Sequence, residues 1–382
     1  MSSSVVLKLK KDLSRTLRQG HPWVYRAAVA EQRGLAAGAL VAVADRRGHE
    51  LAYGFYDPDG PIAVRLLDLK PLADVTKLLH KRLGDALALR RAHLDLTTTT
   101  AFRWVHGEAD RLPGIHVDVY ADIAAVRFDG EGSRAFYGNL PELLQACATG
   151  FSVREVIDRE TRGEHDEEVE ILEHGARFLV NVGRGQKGGM FLDQRENRQT
   201  IAQRAAGKTL LNLFGYTGGF SVHAARHGAV RTDTVDIARP AIAAARHNFE
   251  RNGLDLAQAG FFAEDAFAFL ERASESGQTW DIVVSDPPSF APSKNSLAAA
   301  RRSYVRLHRL AAQVVGPGGQ LAAASCSSHV GRSEFLSMVK TGVDLAGRRF
   351  MLESYTGAAA DHPTLPAFPE GDYLKFALGR VE

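Results

Sequence analysis

Cysteine is nearly missing from this 382-residue chain: two occur, Cys147 and Cys326, far apart and outside any Cys-x-x-Cys or histidine-rich spacing. That spacing excludes a disulfide framework, suggests no zinc site, and makes free thiols the expectation for both. Long apolar runs are missing too, because Arg, Asp or His interrupts each one well before the roughly 18 residues a membrane helix needs. Residues 1–7 lack the basic-then-apolar order of a secretory leader. A soluble, cytoplasmic chain with no membrane partner is the expectation. Net charge is also small, with 47 Lys and Arg against 45 Asp and Glu for a formal +2. That balance argues neither for nor against a polyanionic partner. No internal repeat is visible, and low complexity is confined to four threonines at 97–100.

What is present is an ordinary globular mixture, 45% hydrophobic and 24% charged, long enough for two or three domains. The charge is unevenly placed. Residues 8–26 hold six Lys or Arg (Lys8, Lys10, Lys11, Arg15, Arg18, Arg26) against Asp12 alone, and "RRSYVRLHR" (301–309) holds four Arg, His308 and Tyr304 with no acid. Cations interleaved with rings suit a partner that offers phosphates and bases, although two solvated faces would look the same.

The hydrophobic rhythm divides the chain into four stretches. Alternating apolar residues around 39–56 and 62–67 predict a small β module over 1–72. Leu78, Leu79, Leu83 and Leu87 at helical spacing predict a helical connector within 73–100. Strands flanking one helix at 134–148 predict a small α+β unit over 101–184, with a turn at His174 and Gly175. From 185 to 382 strand and helix alternate. The apolar segments 209–214, 232–237, 259–264, 281–286 and 320–325 predict a doubly wound, Rossmann-like parallel sheet, so the fold class is α/β.

Three segments at strand ends carry chemistry. "FGYTGGF" opens a helix after the first parallel strand, where its glycines permit close backbone approach and its amides face outward. Asp236 ends the next strand, 21 residues after Gly215, where a ribose diol is held, and Asp265 after the third strand is placed to accept from an adenine amino group. The glycines lack the GxGxxG spacing of dinucleotide sites, so S-adenosylmethionine fits better than NAD. Phe214, Gly215, Tyr216, Thr217, Gly218, Gly219, Asp236, Ile237, Asp265 and Ala266 are the candidate cofactor contacts, with Asp286 beside them.

The second segment is "DPPSF". Two prolines fix φ and remove amide donors, holding Asp286 rigidly at the sheet edge. There a carboxylate can share a proton with a ring nitrogen, with Pro287, Pro288 and Phe290 against the substrate base. The third is "SCSSH", with Cys326 at the end of the last parallel strand. Carbon 5 of a pyrimidine is a poor nucleophile until a thiolate adds to carbon 6, and cysteine can both add and leave. The base must then be unpaired or flipped from a duplex. Upstream, Asp193, Gln194, Arg195 and Asn197 gather at a helix start after a glycine-rich loop. Gln194 is a candidate cofactor contact, and Lys187 and Arg195 are candidate substrate contacts; a helix cap is the competing reading.

Together "HPWVYR" (21–26), "GQKGGMFLDQRENR" (185–198), "NLFGYTGGFSV" (212–222), "DPPSF", "SCSSH" and "DHPTLPAFPEGDYLKF" (361–376) closely resemble the RlmI-like family of bacterial 23S ribosomal RNA cytosine-5 methyltransferases. The resemblance covers nearly the whole chain. It implies an N-terminal PUA domain for RNA contact, a middle α+β domain, a class I methyltransferase domain and often a homodimer. It further implies Cys326 as nucleophile, Asp286 on the cytosine ring nitrogen, and 23S rRNA or a large-subunit assembly intermediate as partner. Two departures stand out. The Asp-Pro-Pro loop has Ser289 where a related branch carries a second cysteine that assists product release, and Gly188 stands where the family usually has Thr. Two rivals stay open: methylation of an exocyclic amine, which needs no thiol, and an inactive RNA-binding assembly factor.

Overall fold

The structure, a computed structural model, describes residues 5–30, 34–160, 166–183, 185, 189–291 and 294–382. Its contacts divide the chain into one unit of residues 1–167, 182–184 and 360–371 and another of residues 168–181, 185–359 and 372–382.

The first unit begins with β1 (Val5–Lys8), the short helix α1 (Ser14–Arg18), β2 (Trp23–Tyr25), β3 (Leu40–Ala44), β4 (Glu50–Tyr56) and β5 (Ile62–Asp68). They form a five-stranded sheet in the order β1-β3-β4-β5-β2 around Leu7, Val24, Val41, Val43 and Val64. Arg26, counted above among cations for phosphates, is spent inside this module. Its guanidinium donates to the carbonyls of Asp57, Asp59, Gly60 and Ile62 and so closes the loop between β4 and β5. Lys8, Lys10, Lys11, Arg15 and Arg18 are exposed.

Helix α2 (Val75–His93) starts where Asp74 accepts from the Lys77 amide at 2.9 Å. Beyond it β6 (Ala101–His106), β7 (Ile115–Tyr120), β8 (Ile123–Phe128) and β9 (Glu155–Asp158) form a second sheet in sequence order. The single helix expected over 134–148 is two, α3 (Glu131–Phe136) and α4 (Leu140–Cys147). Pro141 explains the break, since proline is accommodated in the first turn of a helix and disrupts an interior.

The second unit opens with a hairpin, β10 (Glu168–Glu173) and β11 (Ala176–Asn181), joined by His174 and Gly175 at φ 47° and 73°. Two left-handed residues are what a tight hairpin turn requires. The sequence pattern grouped this hairpin with the preceding α+β unit, to residue 184; its contacts instead group it with the second unit. The reason is in the side chains: Glu173 is wholly buried and bonded to Arg198 and His223, both of the second unit.

There follow α5 (Arg195–Ala202), β12 (Thr209–Leu213), α6 (Gly219–Arg226), β13 (Arg231–Asp236), α7 (Arg239–Arg251), β14 (Ala259–Ala263), α8 (Ala266–Glu275) and β15 (Trp280–Ser285). Then come α9 (Leu297–Gln313), β16 (Val315–Ser325), α10 (Arg332–Leu345), β17 (Phe350–Thr356) and β18 (Lys375–Val381). The sheet order is β14-β13-β12-β15-β16-β18-β17. The five expected strands are parallel neighbours, and β18 and β17 extend the sheet antiparallel. The glycine-rich stretch 316–319 loops out within β16, because Trp280 pairs with Val315 while Ile282 pairs with Gln320. Strand parity sorts the core. Leu211, Leu213, Val283, Leu321 and Ala323 pack under α8, α9 and α10, while Leu210, Ile282, Val284, Ala322 and Ala324 pack with Ile201 and Phe220 of α5 and α6. Both faces are covered, as a parallel sheet requires. Among the described residues no helix is long and apolar enough to cross a membrane.

Candidate active site

Strand order reverses between β12 and β15, and in such sheets ligands bind in the crevice beyond the carboxyl ends of the strands at that point. The register makes this concrete: Phe262, Val235, Leu213, Ser285 and Ala323 lie in one row across β14, β13, β12, β15 and β16. Asp236, Phe214 and Asp286 are each one residue beyond that row, and Asp265 and Cys326 three beyond. The chemistry-bearing segments therefore emerge side by side.

The loop after β12 is tightly wound. Phe214 and Tyr216 are both left-handed, at φ 56° and 47°, conformations that side chains rarely adopt. Asp236 holds the turn in place: its Oδ2 accepts from the Tyr216 amide and its Oδ1 from the Ala238 amide, each at 2.9 Å. Thr217 is fixed from the other side, its carbonyl accepting from buried Asn248 at 3.0 Å. The glycines answer to this packing as well as to any ligand. Gly218 has φ 82°, and a Cβ there would lie 3.0 Å from that of Ala245 on α7; a Cβ on Gly215 would lie 2.5 Å from the Thr234 methyl. Asn248 went unnoticed in the sequence because a lone Asn on a helix carries no local signal.

Asp265 caps α8, with Oδ1 accepting from the Phe267 and Ala268 amides at 3.0 Å and Oδ2 outside those two bonds. Ala266 is buried behind it. Ile237, next to Asp236, is 73% exposed. Two carboxylates, Asp236 and Asp265, an exposed aliphatic side chain beside Asp236 and a turn edged by amides form a set of groups that fits an adenosyl group.

Asp286 leaves β15 half-buried, and its Oδ2 accepts from Gln194 Nε2 at 2.9 Å. Gln194 is itself held, since its Oε1 accepts from Asn197 Nδ2 at 2.6 Å while Thr356 donates to Asn197 Oδ1 at 2.8 Å. The carboxylate is thus the end of a buried, oriented chain rather than a mobile group. Asp193 accepts from the Tyr373 hydroxyl at 2.6 Å.

Cys326 is half-buried immediately after β16. Its surroundings are polar: the Tyr304 hydroxyl is 2.8 Å from Ser325 Oγ and 3.0 Å from Ser327 Oγ, and Ser327 Oγ is 2.9 Å from Ser289 Oγ of the Asp-Pro-Pro loop. One residue the sequence did not mark joins them. Lys375, at the start of β18 and 1% exposed, donates to the Ser327 carbonyl at 2.7 Å and the Tyr373 carbonyl at 2.8 Å. Burial pulls its pKa down to about 8, against the attraction of Asp372 and of Cys326.

The expected substrate contacts fare unequally. Arg195 is entirely buried, its Nε 3.9 Å from Glu173, and does not reach the cleft. It belongs to a buried charge cluster in which Arg198 bonds both oxygens of Glu173 at 2.6 Å and His223 Nε2 lies 2.9 Å away. Burial alone would raise the Glu173 pKa, but Arg198 and the bonds from His223 and Arg198 hold it well below the carboxylate range. Phe290 packs into the core with its ring 4.9 Å from Tyr304. Pro287 is buried and Pro288 exposed. Lys187, with Gly188, lies outside the described residues.

Comparison with known proteins follows this geometry. Residues 154–351 match the model of the S-adenosylmethionine-dependent methyltransferase family, and residues 7–69 match a PUA-like domain. S-adenosylmethionine is accordingly the cofactor. A ribosomal RNA large subunit methyltransferase I of Alteromonas mediterranea is 33% identical over 390 residues, covering 98% of each chain. Its counterpart in Photobacterium profundum is 36% identical over 393 residues at the same coverage. Among solved structures, SMU.776 complexed with SAH superposes with a TM-score of 0.85 over 99% of each chain at 23% identity, a likeness of fold.

Proposed function

Because the chain belongs to the ribosomal RNA large subunit methyltransferase I family, we propose that it forms 5-methylcytidine in large-subunit (23S) ribosomal RNA with Cys326 as a covalent nucleophile. The observation that carries the reading is the half-exposed thiol directly after β16, in a hydroxyl-lined loop bonded to the loop of Asp286.

In this mechanism the Cys326 thiolate adds to carbon 6 of the cytosine, and the electron pair of the C5–C6 bond shifts onto carbon 5. Asp286, held by Gln194, shares a proton with the ring nitrogen and so stabilises the negative charge the ring gains. When bound, S-adenosylmethionine would supply the electrophilic methyl group that the electron pair on carbon 5 takes up, leaving as S-adenosylhomocysteine. Loss of the carbon-5 proton then returns the electron pair to the ring and expels the thiolate. Asp236, Ile237, Asp265 and the loop of Phe214, Gly215, Tyr216, Thr217 and Gly218 hold the adenosyl part. Ser289 contributes no second thiol, so the proton leaves to water or another base. The exposed cations Lys8, Lys10, Lys11, Arg15 and Arg18 of the PUA-like module support RNA contact outside the site.

The deciding experiment incubates the enzyme and S-adenosylmethionine with large-subunit RNA containing 5-fluorocytidine, from which no carbon-5 proton can leave. A covalent protein–RNA band is expected from wild type and absent from Cys326→Ala. Full activity of Cys326→Ala on unmodified RNA would instead select exocyclic-amine chemistry.

A further inference from the structure

Helix α9 does two things at once. Its inner side supports the site, with Tyr304 bonded to Ser325 and Ser327 on either side of Cys326 and its ring tilted against that of Phe290. Its outer side contains no acid over its 17 residues. There Arg301, Arg302, Arg306 and Arg309 surround Val305, and with Leu345 of α10 they line a groove of about 400 Å³. Leu345 is 62% exposed.

An ordinary solvated helix face balances its cations with acids three or four residues away. Here neutralisation is partial and comes from other helices: Arg301 pairs with Glu334 at 2.5 Å and Arg306 with Glu271 at 2.7 Å. Arg302 and Arg309 have no such partner among the described residues. They are seven residues apart, about 10 Å along a helix axis, far enough to meet two different phosphates of one strand. Apolar side chains between arginines suit the sugars and base faces of an unpaired strand. The helix begins after the Asp286 loop, so Arg301 and Arg302, in its second turn, are the cations of this face nearest the end of the sheet where Cys326 lies, and Arg309 is farther along.

We propose that the outer face of α9, with Arg302, Arg306 and Arg309 around Val305 and Leu345, binds the phosphate backbone of the single-stranded RNA flanking the target base. The assignment rests on the RNA substrate proposed above. It gives the methyltransferase unit an RNA contact of its own, separate from the PUA-like module.

The test compares full-length wild type with an Arg302→Gln/Arg309→Gln double variant, titrating a single-stranded fragment of large-subunit RNA over a series of KCl concentrations. Loss of two phosphate contacts should reduce the slope of log affinity against log salt by about 1.4. It should raise KM for RNA about tenfold, with kcat and the calorimetric affinity for S-adenosylmethionine unchanged. An unchanged slope overturns the proposal. So does a variant that keeps its RNA affinity but changes mass in light scattering, which would assign the face to a second copy of the chain. If wild type transferred no methyl group to RNA, the catalytic reading would fall, while the two slopes would still decide whether this face binds RNA.

Discussion

At the scale of single residues, Lys375 shows how much of the site depends on a group with no local signature. A lysine is rarely buried without a task, since its ammonium loses hydration. Here it ties the Ser327 carbonyl to the start of β18 and attracts a Cys326 thiolate. Lys375→Met is expected to lower kcat about tenfold to a hundredfold with unchanged cofactor affinity. At pH 7 it should also slow alkylation of Cys326 by iodoacetamide in a Cys147→Ser background, a readout that a purely structural role would not move. Asp236, Asp265, Asp286 and Cys326 could be located from sequence because each follows an apolar strand, and strand ends of a parallel sheet share one edge. Lys375 could not, because nothing in the run 361–376 that contains it tells that tertiary packing will bury a lysine there. The same blindness misplaced Arg195, read as a candidate substrate contact, whose counter-charge, Glu173, lies 22 residues upstream.

At the scale of elements, α9 is poised against acid. His308 is fully buried on its inner side, with its ring 6.0 Å from Tyr304 and 5.7 Å from Phe335, and burial pulls its pKa to about 3. The folded state therefore keeps it neutral, whereas the unfolded chain takes up a proton below about pH 6.5. Stability is expected to fall as pH drops through the window from 6.5 to 3, and this one residue accounts for about 2 kcal/mol between pH 7 and pH 5. Urea midpoints at the two pH values measure it, and His308→Phe should remove that part of the loss. The parallel strands and their helices were readable because short apolar runs alternated with helical spacing and with glycine or proline stops. β17 and β18 were not: "FMLESYT" is largely exposed at the sheet edge and shows no clean alternation. The β10–β11 hairpin was visible as a hairpin, but sequence adjacency does not reveal which core its apolar face will enter.

At the scale of the whole molecule, folding and ligand binding are linked through the loop after β12. S-adenosylmethionine at a hundredfold excess over its Kd should stabilise the protein by about 2.7 kcal/mol, seen as an upward shift in Tm. Asp236→Ala should abolish most of that shift, because the carboxylate that would hold the ribose also holds the Tyr216 amide. The sheet has one more property, which concerns how the chain is made. β17 precedes β18 in sequence, yet β18 lies between it and β16. During synthesis the outer strand therefore emerges about two dozen residues before the strand on which it must rest. Until then the exposed flank of β16 is an open invitation to the wrong neighbour. A ribosome paused before residue 375 would display a nascent enzyme whose cofactor turn is already encoded but whose thiol loop still lacks the lysine that fastens it to β18.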